Sequence, residues 1–278
     1  MRHAFRKLLL SVLIGPTAFA FALAQTNGGT AATGYLRGPF VLKNPTSLGP
    51  GFLGHDIKTV VASIERSSPG AKSEFETTAQ YETRKASFKA QLQQEYVFVN
   101  DPSVDGHPTD DFDDIGMFTY DADAKLMRRK ITMFGSSMAN ILLRSSTTAA
   151  GQYVGMNAFG VRKIINRYNK VVYSLAVKRS GGPVAIDSSD NWFIAVEIPM
   201  ETPEAIALKS RLRIAFVCTV SGQEIEHDDQ ITNPTVTEPT EIHWHVRSLP
   251  VEINTVWVFD MRTGHILKAL GDAAFSSP

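Results

Sequence analysis

Residues 241–270 read EIHWHVRSLPVEINTVWVFDMRTGHILKAL, and the fold depends on whether this stretch is sheet. β-branched and aromatic residues dominate it, and its clearest turn signal is Arg262-Thr263-Gly264, set between two apolar runs. The pattern predicts a strand followed by a hairpin turning at those three residues. At the start of the stretch, Glu241, His243 and His245 alternate with Ile242, Trp244 and Val246. Alternate residues of a strand share a face. The I-W-V set is therefore expected to pack inward and the E-H-H set to meet water.

Strand periodicity also appears upstream. YVFVN (96–100) reads as a strand, and MFTYDADAKLMRRKITMF (117–134) as a hairpin turning at Asp121–Lys125. Residues 170–179, NWFIAVEIPM (191–200) and LRIAFVCTV (212–220) complete the expected strands. The two hairpins resemble each other, but two copies with helices between them do not make a solenoid or propeller. Helices are predicted at IKTVVASIER (57–66), in the segment led by Thr77, and at 203–211. Thr77 and Gln80 have capping-box spacing, with Tyr81, Phe88 and Leu92 close to one face. Thr202 is the expected cap of the last helix, with Pro203 in its first turn. The expected architecture is α+β: mostly antiparallel β-sheet with a few covering helices, forming a single domain over 55–278.

The chain begins with Arg2, Arg6 and Lys7, followed by an apolar run broken at Gly15-Pro16 and an Ala22-x-Ala24 site. These are the parts of a secretory signal peptide over 1–24, with cleavage expected after Ala24. The apolar run falls short of the ~20 residues that span a bilayer. Residues 25–54, rich in Gly, Thr, Pro and Asn, read as an extended lead-in whose Tyr35, Leu36, Phe40, Val41 and Phe52 can lie against the domain. The 28 basic and 28 acidic residues balance, and loss of the leader's three cations leaves a formal charge of about −3. No basic run is present, so nucleic acid is a poor partner. No second long apolar stretch is present either, so no membrane span is expected in the mature protein. The single cysteine, Cys218, excludes an internal disulfide and reads as a small hydrophobe in a buried strand.

The segment KSEFETTAQYETR (72–84), followed by a strand and the YDAD hairpin, resembles a stretch found in exported bacterial proteins of uncharacterised function. The pattern K-x-E-F-E-T-x-x-x-Y-x-x-R carries the resemblance, which runs from Lys72 to about Arg129. It implies a periplasmic or secreted bacterial protein and carries no active-site residue over.

Two places hold candidate ligands. His243 and His245, with Glu241, are spaced to chelate one ion from a strand face. Zinc would need at least a third protein ligand, and EIEHDD (224–229), read as a polar loop, offers Glu226, His227, Asp228 and Asp229. The glycines and the nearer glutamate of a cupin motif are missing. In DPSVDGHPTDDFDD (101–114), Asp101, Ser103, Asp105 and Gly106 match the opening of a calcium loop, but Phe112 replaces the closing glutamate. Nucleophile-elbow, phosphate-loop and dinucleotide motifs are absent. Trp192, Trp244 and Trp257 most simply fill the core. No cofactor is expected, with zinc or calcium as the possible exceptions. The functional expectation is a non-enzymatic exported envelope protein that binds a protein or glycan. The alternatives are a metal-binding protein or metal-dependent hydrolase using His243 and His245, and an assembly factor of an envelope complex.

Overall fold

The computed structural model describes residues 34–40, 45–100, 118–133, 139–177, 185–186, 192–222 and 224–271. Local rules account for its helices. α1 (Ile57–Ser67) starts at Asp56, whose side chain accepts the Thr59 N–H, and it buries Ile57, Val60, Val61 and Ile64 at helical spacing. α2 (Thr78–Leu92) opens with the expected capping box. The Gln80 N–H donates to Thr77 Oγ1 at 3.2 Å, and the Thr77 N–H donates to Gln80 Oε1 at 2.9 Å. Such a cap stabilises by about 1 kcal/mol. Only Phe88 and Leu92 of α2 are buried, so the helix docks by its C-terminal half. α3 (Thr202–Leu208) departs from the expected cap: Glu201 is the N-cap and makes no side-chain cap bond. Thr202 is already helical, and its Oγ1 lies 3.2 Å from the Tyr120 hydroxyl.

The strands are β1 (Glu95–Asn100), β2 (Thr119–Asp121), β3 (Leu126–Thr132), β4 (Ala139–Met156), β5 (Arg162–Val177), β6 (Ala185–Ile186), β7 (Trp192–Pro199), β8 (Leu212–Val220), β9 (Glu226–Thr232), β10 (Thr240–Asp260) and β11 (Ile266–Gly271). A large sheet runs β1-β8-β10-β5-β4, with β9 and β11 also paired to β10. A smaller sheet runs β2-β3-β7-β6. The large sheet is mixed, because β10 runs parallel to β5 from Thr240 to Val251. Among the described residues β structure dominates over the three helices. Both expected hairpin turns are present, at Asp121–Lys125 and after Asp260. EIEHDD is no loop, since its last four residues open β9. β4 and the first half of β5 fall outside the strands expected from the sequence.

The large sheet is the middle layer of the core. On its inner face Phe98, Ile214, Phe216, Cys218, Leu249 and Val251 pack with α1, α2 and residues Met127, Ile131, Ile194 and Val196 of the small sheet. Fully burying each such aliphatic or aromatic side chain contributes roughly 1.5–3 kcal/mol. On its outer face Val97, Ala215, Val217, Trp257 and Phe259 are covered by Leu36, Phe40, Leu48 and Phe52 of the lead-in. The lead-in is held there by backbone bonds from Phe40 N–H to Glu95 O and Leu48 N–H to Gly264 O. Tyr35 stays exposed, and Val41 lies outside the described residues.

A β-bulge in β10 sets which side chains face which way. The register against β8 slips between Ile253 and Thr255. Before the slip, odd-numbered Leu249, Val251 and Ile253 face the inner core; after it, even-numbered Val256 and Val258 do. The extra residue of a bulge inverts the alternation.

Candidate functional site: a sheet that outruns its cover

The bulge reverses the expected orientation of the E-H-H set. The pairings of β10 with β5 and β9 are regular from Thr240 to Val251. Glu241, His243 and His245 therefore continue the inner face of Leu249 and Val251. Ile242, Trp244 and Val246 lie on the outer face. Neither set is buried, because this half of β10 extends past the core with β9 and the outer halves of β4 and β5. Trp244 belongs to neither apolar cluster. Its indole N–H donates to Thr232 Oγ1 at 2.9 Å, and the Lys170 ammonium sits 4.4 Å from its ring centroid. Trp257 does fill the core; the Trp192 side chain lies outside the described residues.

On the inner face the ionic groups satisfy one another. Glu241 Oε1 accepts from His243 Nε2 and from Arg167 Nε, both at 2.7 Å, while Oε2 accepts the Tyr153 hydroxyl at 2.8 Å. These donors, led by His243, push the Glu241 carboxyl down to about 2. The same carboxylate raises the Tyr153 phenol, chiefly through their hydrogen bond. One step along, Asp229 Oδ1 lies 3.0 Å from Arg247 Nη1 and 3.2 Å from His245 Nδ1, which together lower the Asp229 carboxyl. His227 Nε2 meets Glu65 of α1 at 3.1 Å.

The histidines thus share a face, as their spacing implies, but each turns to a different carboxylate. Asp229 reaches His245, whereas Glu226 and Asp228 lie on the opposite face of β9 by register. Among the described residues no three His, Cys, Asp or Glu side chains form a group able to hold a metal ion. Asp101 and Asp105 lie outside the described residues. Cys218 is fully buried, with its Sγ 3.8 Å from the Tyr96 carbonyl oxygen, and burial pushes its thiol far up. It is no nucleophile.

The feature that sequence reasoning missed is β4. It ends the strand order of the large sheet, so among the described residues its outer edge has no neighbouring strand. At its start the sheet curls enough for Asn100 Nδ2 of β1 to reach the Leu142 carbonyl oxygen at 3.2 Å. Beyond this point Ser146–Val154 are exposed. The hairpin to β5 carries Val154, Met156, Phe159, Val161 and Ile164 in the open, with Phe159 92 % exposed. The available signal was the absence of any charged residue from Ser145 to Val161. Edge strands are usually protected by charge, proline or cover, and this one is interrupted by a bulge at Ala150, next to Gly151 at φ +104°. Among the described residues no helix is long and apolar enough to cross a membrane. Comparison of the chain with protein-family models, with curated proteins and with solved structures found no match.

Proposed function

We propose that this chain is a non-enzymatic binding protein of the bacterial envelope, and that it takes an extended segment of a protein partner onto the outer edge of β4. The single observation carrying this reading is that edge: long, exposed from Ser146, uncharged and at the end of the sheet. An added strand satisfies the backbone N–H and C=O groups that such an edge leaves to water, and the partner's alternate side chains then meet the sheet faces. The leader-like first 24 residues support the envelope setting. The carboxylates of Glu241 and Asp229 are each matched to an arginine and a histidine of this chain, which supports a structural role for these groups.

A photo-crosslinking residue at Thr148 tests the proposal in cells that express the protein. The expected outcome is one discrete adduct that disappears when Thr147→Lys and Gln152→Lys place charges on the strand. The same adduct yield with and without those lysines would sink it, as would adducts formed only from α2.

A further inference from the structure

We infer that the tip of the β4–β5 hairpin inserts into the surface of an anionic lipid bilayer. The inference goes beyond strand addition at β4, since its contacts lie at the turn. Val154 pairs with Ile164 and Met156 with Arg162, so Val154, Met156 and Ile164 share the outer face. Tyr153, paired with Ile165, is exposed on the inner face of the same hairpin end, and Phe159 and Val161 form the turn itself. Large apolar groups thus wrap the end of the hairpin instead of lining one side. A flat protein interface calls for one face; a wedge entering acyl chains end-on calls for this arrangement.

Charge selects the kind of bilayer. From Ser145 to Lys170 the chain has no Asp or Glu, while Arg162, Lys163, Arg167 and Lys170 are basic. Arg167 is matched to Glu241, and the exposed Glu238 lies in the neighbouring β9–β10 loop. Arg162 and Lys163 stand where β5 leaves the turn, paired with Met156 and Gly155. Lys163 Nζ is steered across to the Val236 carbonyl. At ~3.3 Å per residue the two cations sit within about 7 Å of the turn. An apolar end buried ~5–10 Å into the headgroup boundary therefore brings both to the level of lipid phosphates. Arg162 keeps its guanidinium in that layer while its stem lies against Met156 and the acyl chains.

The test is co-sedimentation of the purified protein with vesicles of phosphatidylglycerol in phosphatidylcholine, and with vesicles of phosphatidylcholine alone. Binding to the anionic vesicles is expected, with Phe159→Ser plus Val161→Ser weakening it at least about tenfold. Arg162→Gln plus Lys163→Gln should weaken anionic binding about fivefold per charge. In a Phe159→Trp variant the new indole emission should shift to the blue on anionic vesicles only. All these side chains are exposed, so the melting curve serves as the folding control. Absence of vesicle binding overturns the inference, as does equal binding to both compositions or binding indifferent to Phe159. A change of oligomeric state in Phe159→Ser without vesicle binding also overturns it and makes the tip a protein contact. Each of these failures leaves crosslinking at Thr148 unaffected.

Discussion

Gly264 lies so close to Gly49 that a Cβ on Gly264 would sit 2.4 Å from the Gly49 backbone. Gly264 also holds φ +75°, which L side chains rarely adopt. The contact clips the lead-in to the turn after β10, beside the backbone bonds from Leu48 N–H to Gly264 O and from Gly51 N–H to Met261 O. Gly264→Ala is therefore expected to destabilise the protein by about 3 kcal/mol or more, strain and clash together. Gly271→Ala is the control: the nearest atom to its Cβ is Thr255 Oγ1 at 3.8 Å, and its φ is not positive. Urea unfolding of both variants checks the claim, which fails if Gly264→Ala moves the midpoint no more than the control.

His55 predicts a pH dependence. Its ring is buried, with Nδ1 accepting the Val97 N–H at 2.9 Å and Nε2 placed 2.8 Å from Gly38 O as donor. A proton on Nδ1 would break the first bond, and burial lowers the imidazole pKa below its ordinary 6.5. The unfolded chain then binds the proton more readily than the folded one. Stability from this group is present above pH ~6.5 and is lost as pH falls through the lowered folded value. Unfolding free energy should drop below that pH in the native protein and drop less in His55→Gln. Parallel curves for the two proteins would count against the assignment.

The Glu241 cluster predicts a titration coupled across three strands. Its carboxyl, pushed down to about 2, contributes stability present above its ordinary 4.5 and lost only as pH falls toward 2. In Glu241→Gln the Tyr153 phenol loses the main cause of its raised pKa and should ionise at lower pH. Phenolate absorbance, with Tyr153→Phe subtracted, measures the shift. An unchanged Tyr153 titration would show that the hydroxyl is not bound to that carboxylate in solution.

Cys218 predicts chemical silence. It is fully buried between the large sheet and the inner core, so the thiolate needed for attack is suppressed. A thiol reagent should label the native protein only as fast as the chain unfolds globally, and labelling should become rapid in denaturant. Quick modification of the native protein would mean that β1 and β8 open locally.

Much of the fold is set by nearby residues and was legible on that account. The Thr77–Gln80 box, the turn led by Asp121 and the Arg262–Gly264 turn each depend on groups within a few positions of one another. Asp260 shows how: its carboxylate accepts from the Arg262 N–H at 2.9 Å and the Thr263 hydroxyl at 3.1 Å. The middle of β4 was not legible, because from Ser146 to Gly151 its Ser, Thr, Ala and Gly, exposed on both faces, give neither alternation nor an apolar run. β9 was hidden in the same way: its charges looked like a loop until β10 supplied the other half of the ladder.

Local chemistry is enough to place the starts of α1 and α2, the hairpin turns, and β10 as a strand with two imidazoles on one face. Tertiary structure alone decided which face that is, which carboxylate each imidazole meets, and that β4 stands at the edge. Those outcomes depend on pairings between residues tens of positions apart and on one bulge near Asn254. A single inserted residue inverts a period of two, and nothing in the neighbouring letters marks where the partner strand will accommodate it.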